Sequence, residues 1–212
     1  MPKISAALRW LAQDCLLCGA VAGDRAICVR CEEGLPECGE CFPHEPHFDA
    51  VIAAFDYAFP VDRLIHRFKY AADLAAGHWL SMRLAARVRR LERPQLLVAP
   101  PLGAARLRIR GFNQALEIAR VIGGELRVRV ALRGIEKARE TAPQHGLGRR
   151  ERHANLRAAF RCALALDGEH VAIVDDVITT GATATALACE LKAAGAGRVS
   201  VWALARTPDP AA

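Results

Sequence analysis

Val171-Ala172-Ile173-Val174-Asp175-Asp176-Val177-Ile178-Thr179-Thr180-Gly181-Ala182-Thr183 is the stretch whose reading decides the fold. Its first four residues are apolar and mostly β-branched, as in a buried strand. Two adjacent carboxylates follow, then a Thr/Gly loop that opens onto an alanine-rich helix. Ligands of an open α/β sheet collect outside the carboxyl ends of its strands. A helix starting there offers unpaired N–H groups and a partial positive charge, which suits a phosphate. Thr179, Thr180 and Thr183 add hydroxyl donors, and Gly181 lets the backbone approach closely. Asp175 and Asp176 would repel a phosphate, so they should face vicinal hydroxyls or a bound Mg²⁺. A phosphate beside a diol describes a ribose 5-phosphate. Helix capping alone would explain neither the paired acids nor the three threonines.

Outward from this stretch, strands alternate with helices. Strands are expected at Ala50 to Tyr57, Leu96 to Ala99, Arg127 to Leu132 and Val199 to Ala205. Helices are expected from Pro60 to Tyr70, Leu74 to Leu91, Gln114 to Leu126 and Ala182 to Ala194, with a short amphipathic one over Ile4 to Gln13. Such alternation predicts an α/β fold with a doubly wound, mainly parallel sheet. Lys137 to Arg152 is polar, basic and punctuated by Pro143, Gly146 and Gly148, so it reads as a mobile excursion.

The 212 residues suffice for one α/β domain, expected over 48–212, and a small N-terminal module over 1–47. No run approaches the roughly 18 apolar residues of a membrane span, and Met1 to Asp14 lacks the apolar core of a secretory signal. The expected location is the cytoplasm. Charge is unevenly spread: Ala104 to Arg161 holds 13 Arg and Lys137 against five Glu, a net +9 in a chain of net +6. Arg (25) also far outnumbers Lys (4), a bias that composition alone explains, but composition does not explain the clustering. A basic block of this kind suits phosphates or nucleic acid.

Three CxxC pairs occur near the N-terminus, Cys15/Cys18, Cys28/Cys31 and Cys38/Cys41. Reduced thiols in repeated pairs point to structural zinc, since two such knuckles supply four thiolates to a tetrahedral ion. Cys15, Cys18, Cys28 and Cys31 are the expected set, as neighbouring knuckles closing a short loop. A second site from Cys38, Cys41, His44 and His47, or one ion shared by Cys15/Cys18 and Cys38/Cys41, are the alternatives.

The order of these pieces resembles a known family. A CxxC module, Phe68-Lys69-Tyr70, Pro100-Pro101-Leu102, Arg110-Gly111-Phe112-Asn113-Gln114, Arg139-Glu140-Thr141-Ala142-Pro143-Gln144 and the Asp175–Thr183 motif together resemble the ComF family (ComFC/GntX type) over almost the whole chain. The resemblance implies a zinc ribbon joined to a type I phosphoribosyltransferase-like domain. It implies binding of phosphoribosyl pyrophosphate (PRPP) with Mg²⁺, and a role in natural transformation or DNA utilisation, in contact with single-stranded DNA, a competence helicase and recombination proteins. Longer members commonly carry four CxxC pairs, against three here.

Carried over by residue, Asp175 and Asp176 are the ribose-hydroxyl acceptors, and Thr179, Thr180, Gly181, Ala182 and Thr183 form the 5-phosphate loop. Pro100, Pro101 and Leu102 stand at the pyrophosphate loop, and Lys137 to Arg152 resembles the flap that closes over PRPP. Arg108 and Arg110 are the candidate diphosphate ligands. Thr179 stands where hypoxanthine/guanine salvage enzymes carry an Asp, which argues against that substrate class. The leading expectation is a DNA-utilisation protein with a PRPP site and possible Mg-dependent transferase activity. The alternative is a transferase for a small base or nucleotide precursor with no DNA role. A transcriptional regulator is the weakest reading, since no duplex-reading motif accompanies the fold.

Overall fold

The structure, a computed structural model, describes residues 13–39, 47–138 and 159–208. A small N-terminal unit comprises β1 (Gln13–Asp14), β2 (Val21–Gly23) and α1 (Val29–Glu33). The larger unit begins with β3 (Ala50–Asp56), α2 (Val61–Tyr70), α3 (Leu74–Val88) and β4 (Leu96–Val98). It continues with α4 (Ala104–Arg110), α5 (Gln114–Leu126), β5 (Arg129–Ala131), β6 (Ile135–Lys137) and β7 (Phe160–Cys162). It closes with β8 (His170–Ile178), α6 (Ala182–Ala193) and β9 (Arg198–Arg206).

Five strands form one sheet in the order β3-β9-β8-β4-β5, and every neighbouring pair is parallel. The expected doubly wound α/β architecture is therefore present. Successive strand residues face opposite layers. Ala172, Val174, Trp202 and Leu204 pack in the cluster that holds Leu64 and Phe68 of α2, Leu84 of α3 and Ile118 of α5. Val171, Ile173, Val199 and Val201 pack on the other side with Leu187 and Leu191 of α6. Each fully buried aliphatic side chain contributes about 1.5–3 kcal/mol through lost water contact, so the two-sided central strands anchor the molecule. Gly77 lets α3 close on α2, because a Cβ there would lie 2.4 Å from the Phe68 ring.

One boundary differs instructively from the sequence reading. β8 does not end at Val174 but runs on through both carboxylates to Ile178, held by β9 as far as Ile178↔Arg206. On its other side β4 stops at Val98↔Ile173. Asp175 to Ile178 therefore stand beside an open gap. α4 was absent from the expected elements, since none of its residues is buried and it has no apolar stripe to read. The proposed N-terminal helix lies outside the described residues except at Gln13, which is in β1.

The cysteine unit packs into the main core. Ile27 and Leu35 join the same cluster as Phe55, Leu64 and Phe68. An ion-pair network adds to this, with Arg83 reaching Glu32 of α1 at 2.9 Å and Glu37 at 2.8 Å. Among the described residues no helix is long and apolar enough to cross a membrane.

Candidate active site at the sheet switch point

From β4 the chain moves outward to β5, while from β8 it moves the other way to β9. The strand order thus reverses between β4 and β8, and a crevice opens beyond their carboxyl ends. A cavity of about 290 Å³ lies there. Asp175, Asp176 and Thr183 line one wall, and Pro100, Pro101 and Leu102 of the loop after β4 line another. Lys69, Arg106, Arg110 and Lys137 bring cations to the same space. An acidic wall meeting a basic one in a single crevice suits a ligand with hydroxyls at one place and phosphates at another.

The carboxylates are electrostatically unequal. Lys69 Nζ lies 2.8 Å from Asp176 Oδ1, with both side chains mostly buried. Asp175 is pushed up to about 7, first by burial and then by the Asp176 charge, against the opposing pull of the Asp176 N–H, Lys69 and Arg110. That N–H donates to Asp175 Oδ1 at 2.8 Å. One acid is thus neutralised by an ion pair, and the other is poised to titrate near neutrality.

Helix geometry sorts the arginines. Arg106 and Arg110 are four residues apart on α4 and share its cavity face. Arg108, two residues from each, projects elsewhere and does not line the cavity. Arg110 Nη1 donates to Gln114 Oε1 at 3.1 Å, and its guanidinium sits 5.2 Å from the Tyr70 ring centroid. Phe112 packs on buried Phe68, with ring centroids 5.5 Å apart. Tyr70 is the exposed ring of this region, at 60%.

The Thr/Gly loop has the form of an anion cradle. Gly181 precedes α6 in the left-handed region at φ +69°, and no side chain caps the helix. Its first-turn N–H groups are left for a ligand, with Thr179, Thr180 and Thr183 exposed alongside. Lys137, the first residue of the expected flap, lines the cavity, as does Phe160; residues 139–158, which hold the rest of that flap beyond Ala138, lie outside the described residues.

Asn113 ties two parts of the site together. Its Oδ1 accepts from Leu116 N at 3.3 Å as the cap of α5, and its Nδ2 donates to Pro100 O at 3.0 Å. Asn113→Ala is expected to cost about 1–2 kcal/mol in a urea melt. Asn113→Asp, which keeps the cap and loses the bond to Pro100, should recover about half of that.

A second chemical centre lies in the N-terminal unit. The Sγ atoms of Cys15, Cys18, Cys28 and Cys31 lie within 4.8 Å of one another. Cys18 Sγ and Cys28 Sγ are 3.8 Å apart. Tetrahedral zinc with bonds of about 2.3 Å requires sulfurs about 3.8 Å apart, so the set could hold such an ion. Local backbone builds the knuckle: Gly19 turns at φ +72° and its N–H donates to Cys15 O at 2.9 Å. Burial raises the Cys15 thiol, but the N–H groups of Cys18, Cys28 and Leu17 outweigh it and bring it down to about 6. Cys38 stands apart, its N–H bonded to Ala54 O near the end of β3. His47 lies before the start of β3, where its Nδ1 is 3.4 Å from Cys189 Sγ. Cys38 and His47 are thus at opposite ends of β3, while Cys41 and His44 fall outside the described residues.

Sequence reading did not assign a site role to Lys69, Arg106 or Gln114, and it placed Lys137 only at the start of the flap. Lys69 and Gln114 stand inside quoted motifs, so a signal existed; Arg106 required the helical phase of α4.

No protein-family model matches the chain. It is 35% identical over 206 residues to DNA utilization protein YhgH of Escherichia coli (strain K12), covering 91% of this chain and 90% of that protein. The YhgH of Salmonella typhimurium matches equally, at 35% over 206 residues. Competence protein F of Haemophilus influenzae is 33% identical over 178 residues, covering 80% and 78%. Among solved structures, adenine phosphoribosyl transferase from Trypanosoma brucei aligns at 14% identity and a TM-score of 0.43, over 77% of this chain and 73% of that one. Purine phosphoribosyltransferase from Pyrococcus horikoshii aligns at 19% and 0.39, over 63% and 74%. With sequence identity of this extent to YhgH and competence protein F, the chain belongs to the ComF family.

Proposed function

We propose that this protein binds PRPP in the switch-point cavity and single-stranded DNA on the adjoining basic surface, acting in DNA uptake or utilisation in the cytoplasm. The observation that carries the first part is the meeting of Asp175/Asp176 with the basic wall of one cavity of about 290 Å³. In this reading Asp175 and Asp176 accept the ribose hydroxyls, and the open turn of α6 with its threonines takes the 5-phosphate. Arg106, Arg110 and Lys69 receive the diphosphate. The two carboxylates also supply the oxygen donors that a magnesium ion accompanying PRPP prefers, and its charge would offset that of the departing diphosphate. Transfer from such a donor needs positioning more than a strong base.

Titration calorimetry with PRPP, with and without Mg²⁺, tests this part. Micromolar binding is expected, and no heat under either condition would overturn it.

The DNA part rests on α4 and its surroundings. None of its residues is buried; Arg106 and Arg108 are exposed beside Leu107 at 43% and Ile109 at 82% exposure. Arg127, Arg129, Arg133 and Arg161 are exposed in the same basic block. Such a surface neutralises phosphates without reading bases, so sequence-tolerant binding is expected, weakening steeply with salt as counterions are released. Fluorescence anisotropy with a labelled oligothymidylate from 50 to 300 mM NaCl checks it. Binding that ignores salt, or none at 50 mM, would leave the alternative of a transferase without a DNA role.

A further inference from the structure

Gln114 is 1% exposed, opens α5 and lines the cavity, yet its Nε2 has no hydrogen-bond partner among the described residues. Its orientation is chemically determined. Arg110 donates to it at 3.1 Å and a guanidinium can only donate, so the amide oxygen must face Arg110 and the NH₂ must face away. A buried amide donor without an acceptor is costly, and such exceptions call for a cause. Among the charged side chains lining the cavity, Lys69, Arg106, Arg110 and Lys137 can only donate; the carboxylates are Asp175 and Asp176, and Asp176 is paired with Lys69.

The surrounding backbone has the same deficit. Asn113 Oδ1 takes the Leu116 N–H, and Glu117 N–H reaches Asn113 O. The N–H groups of Gln114 and Ala115, both lining the cavity, belong to the set that a helix leaves unpaired at its start. The 13-residue α5 adds the positive end of its dipole. An unpartnered side-chain amide, the start of α5 and two arginines thus line one cavity, and all of them donate.

From this we infer that Gln114 is a diphosphate-binding residue: its Nε2 and the first turn of α5 take the pyrophosphate group of PRPP, with Arg110 holding the amide in register. The inference rests on the PRPP reading and adds to it a neutral ligand within the basic wall. Tyr70 supports the arrangement from outside, with its hydroxyl 3.4 Å from Arg110 Nη2.

Calorimetry on the full chain with inorganic pyrophosphate, ribose 5-phosphate and PRPP tests it, using Gln114→Met and Gln114→Glu. Methionine matches the shape and removes the donor; glutamate keeps the contact with Arg110 and places a negative charge toward the ligand. Pyrophosphate is expected to bind about 10- to 100-fold more weakly to Gln114→Met, the range for losing a hydrogen bond to a charged group. Ribose 5-phosphate should bind within twofold of the intact protein. Gln114→Glu should lose pyrophosphate entirely while its melting temperature is unchanged or higher. Equal pyrophosphate affinity in Gln114→Met, or parallel loss of both ligands, overturns the inference while PRPP binding by the intact protein keeps the broader reading. An intact protein that binds neither PRPP nor pyrophosphate overturns both.

Discussion

Asp175→Asn/Asp176→Asn is expected to abolish PRPP binding in calorimetry, with affinity falling by about 100-fold or more. Each carboxylate lost as an acceptor for a hydroxyl removes a charge-assisted hydrogen bond of about 1.5–3 kcal/mol, and two act on the same diol. The single variants should not be equivalent. Asp176→Asn also strips Lys69 of its partner at 2.8 Å, leaving a mostly buried ammonium uncompensated, so it should lose stability as well as affinity. Asp175→Asn should lose affinity but gain stability.

The sign for Asp175 follows from its raised value. Its carboxyl titrates near 7 in the folded protein against 3.8 in the reference state. The folded state therefore holds this proton more tightly, and the stability it confers is complete below about pH 4 and lost as pH rises to about 7. Above that the folded protein carries the full cost of an ionised, desolvated acid. Asparagine removes the cost, so Asp175→Asn should exceed the intact protein in stability by about 2 kcal/mol at pH 8. The advantage should shrink as pH falls from 7 to 4 in denaturant melts at fixed salt. A variant that gains stability while losing its ligand would mark Asp175 as retained for binding rather than folding.

The second large effect concerns the four-cysteine cluster. Cys15→Ser/Cys18→Ser is expected to reduce bound zinc from about one per chain to none, and to lower the melting temperature by more than 10 °C. Zinc contributes on the order of 10 kcal/mol to folding where its ligands converge only in the native state. Here the loss should spread, because Ile27 and Leu35 share the main core and Leu16 O accepts a hydrogen bond from Arg67 of α2. Cys38→Ser should keep the zinc, since Cys38 lies against β3 away from the cluster. Elemental analysis decides, and two zincs per chain would restore the second-site alternative.

Much of this protein is legible from residues close together in the chain. Val171 to Val174 read as a strand because β-branching and burial are local signals, and Gln114 to Leu126 read as a helix with the bounds observed, because Asn113 caps it and its apolar spacing is regular. The paired CxxC knuckles and the acid pair before a Thr/Gly loop carry their chemistry in their own spacing. Partners distant in sequence were beyond such a reading. Only folding shows that β8 outruns β4, so that Asp175 and Asp176 face a gap rather than a neighbouring strand. Only the packing of α2 against the sheet delivers Lys69 to Asp176, and only the helical phase of α4 sends Arg106 rather than Arg108 into the cavity. The same holds for His47, which chain proximity suggests as a partner for Cys38 but which β3 carries to Cys189. Local sequence carries backbone preference and the identity of reactive groups; which of those groups meet is decided by strand order, strand length and helix phase, properties of the assembled sheet.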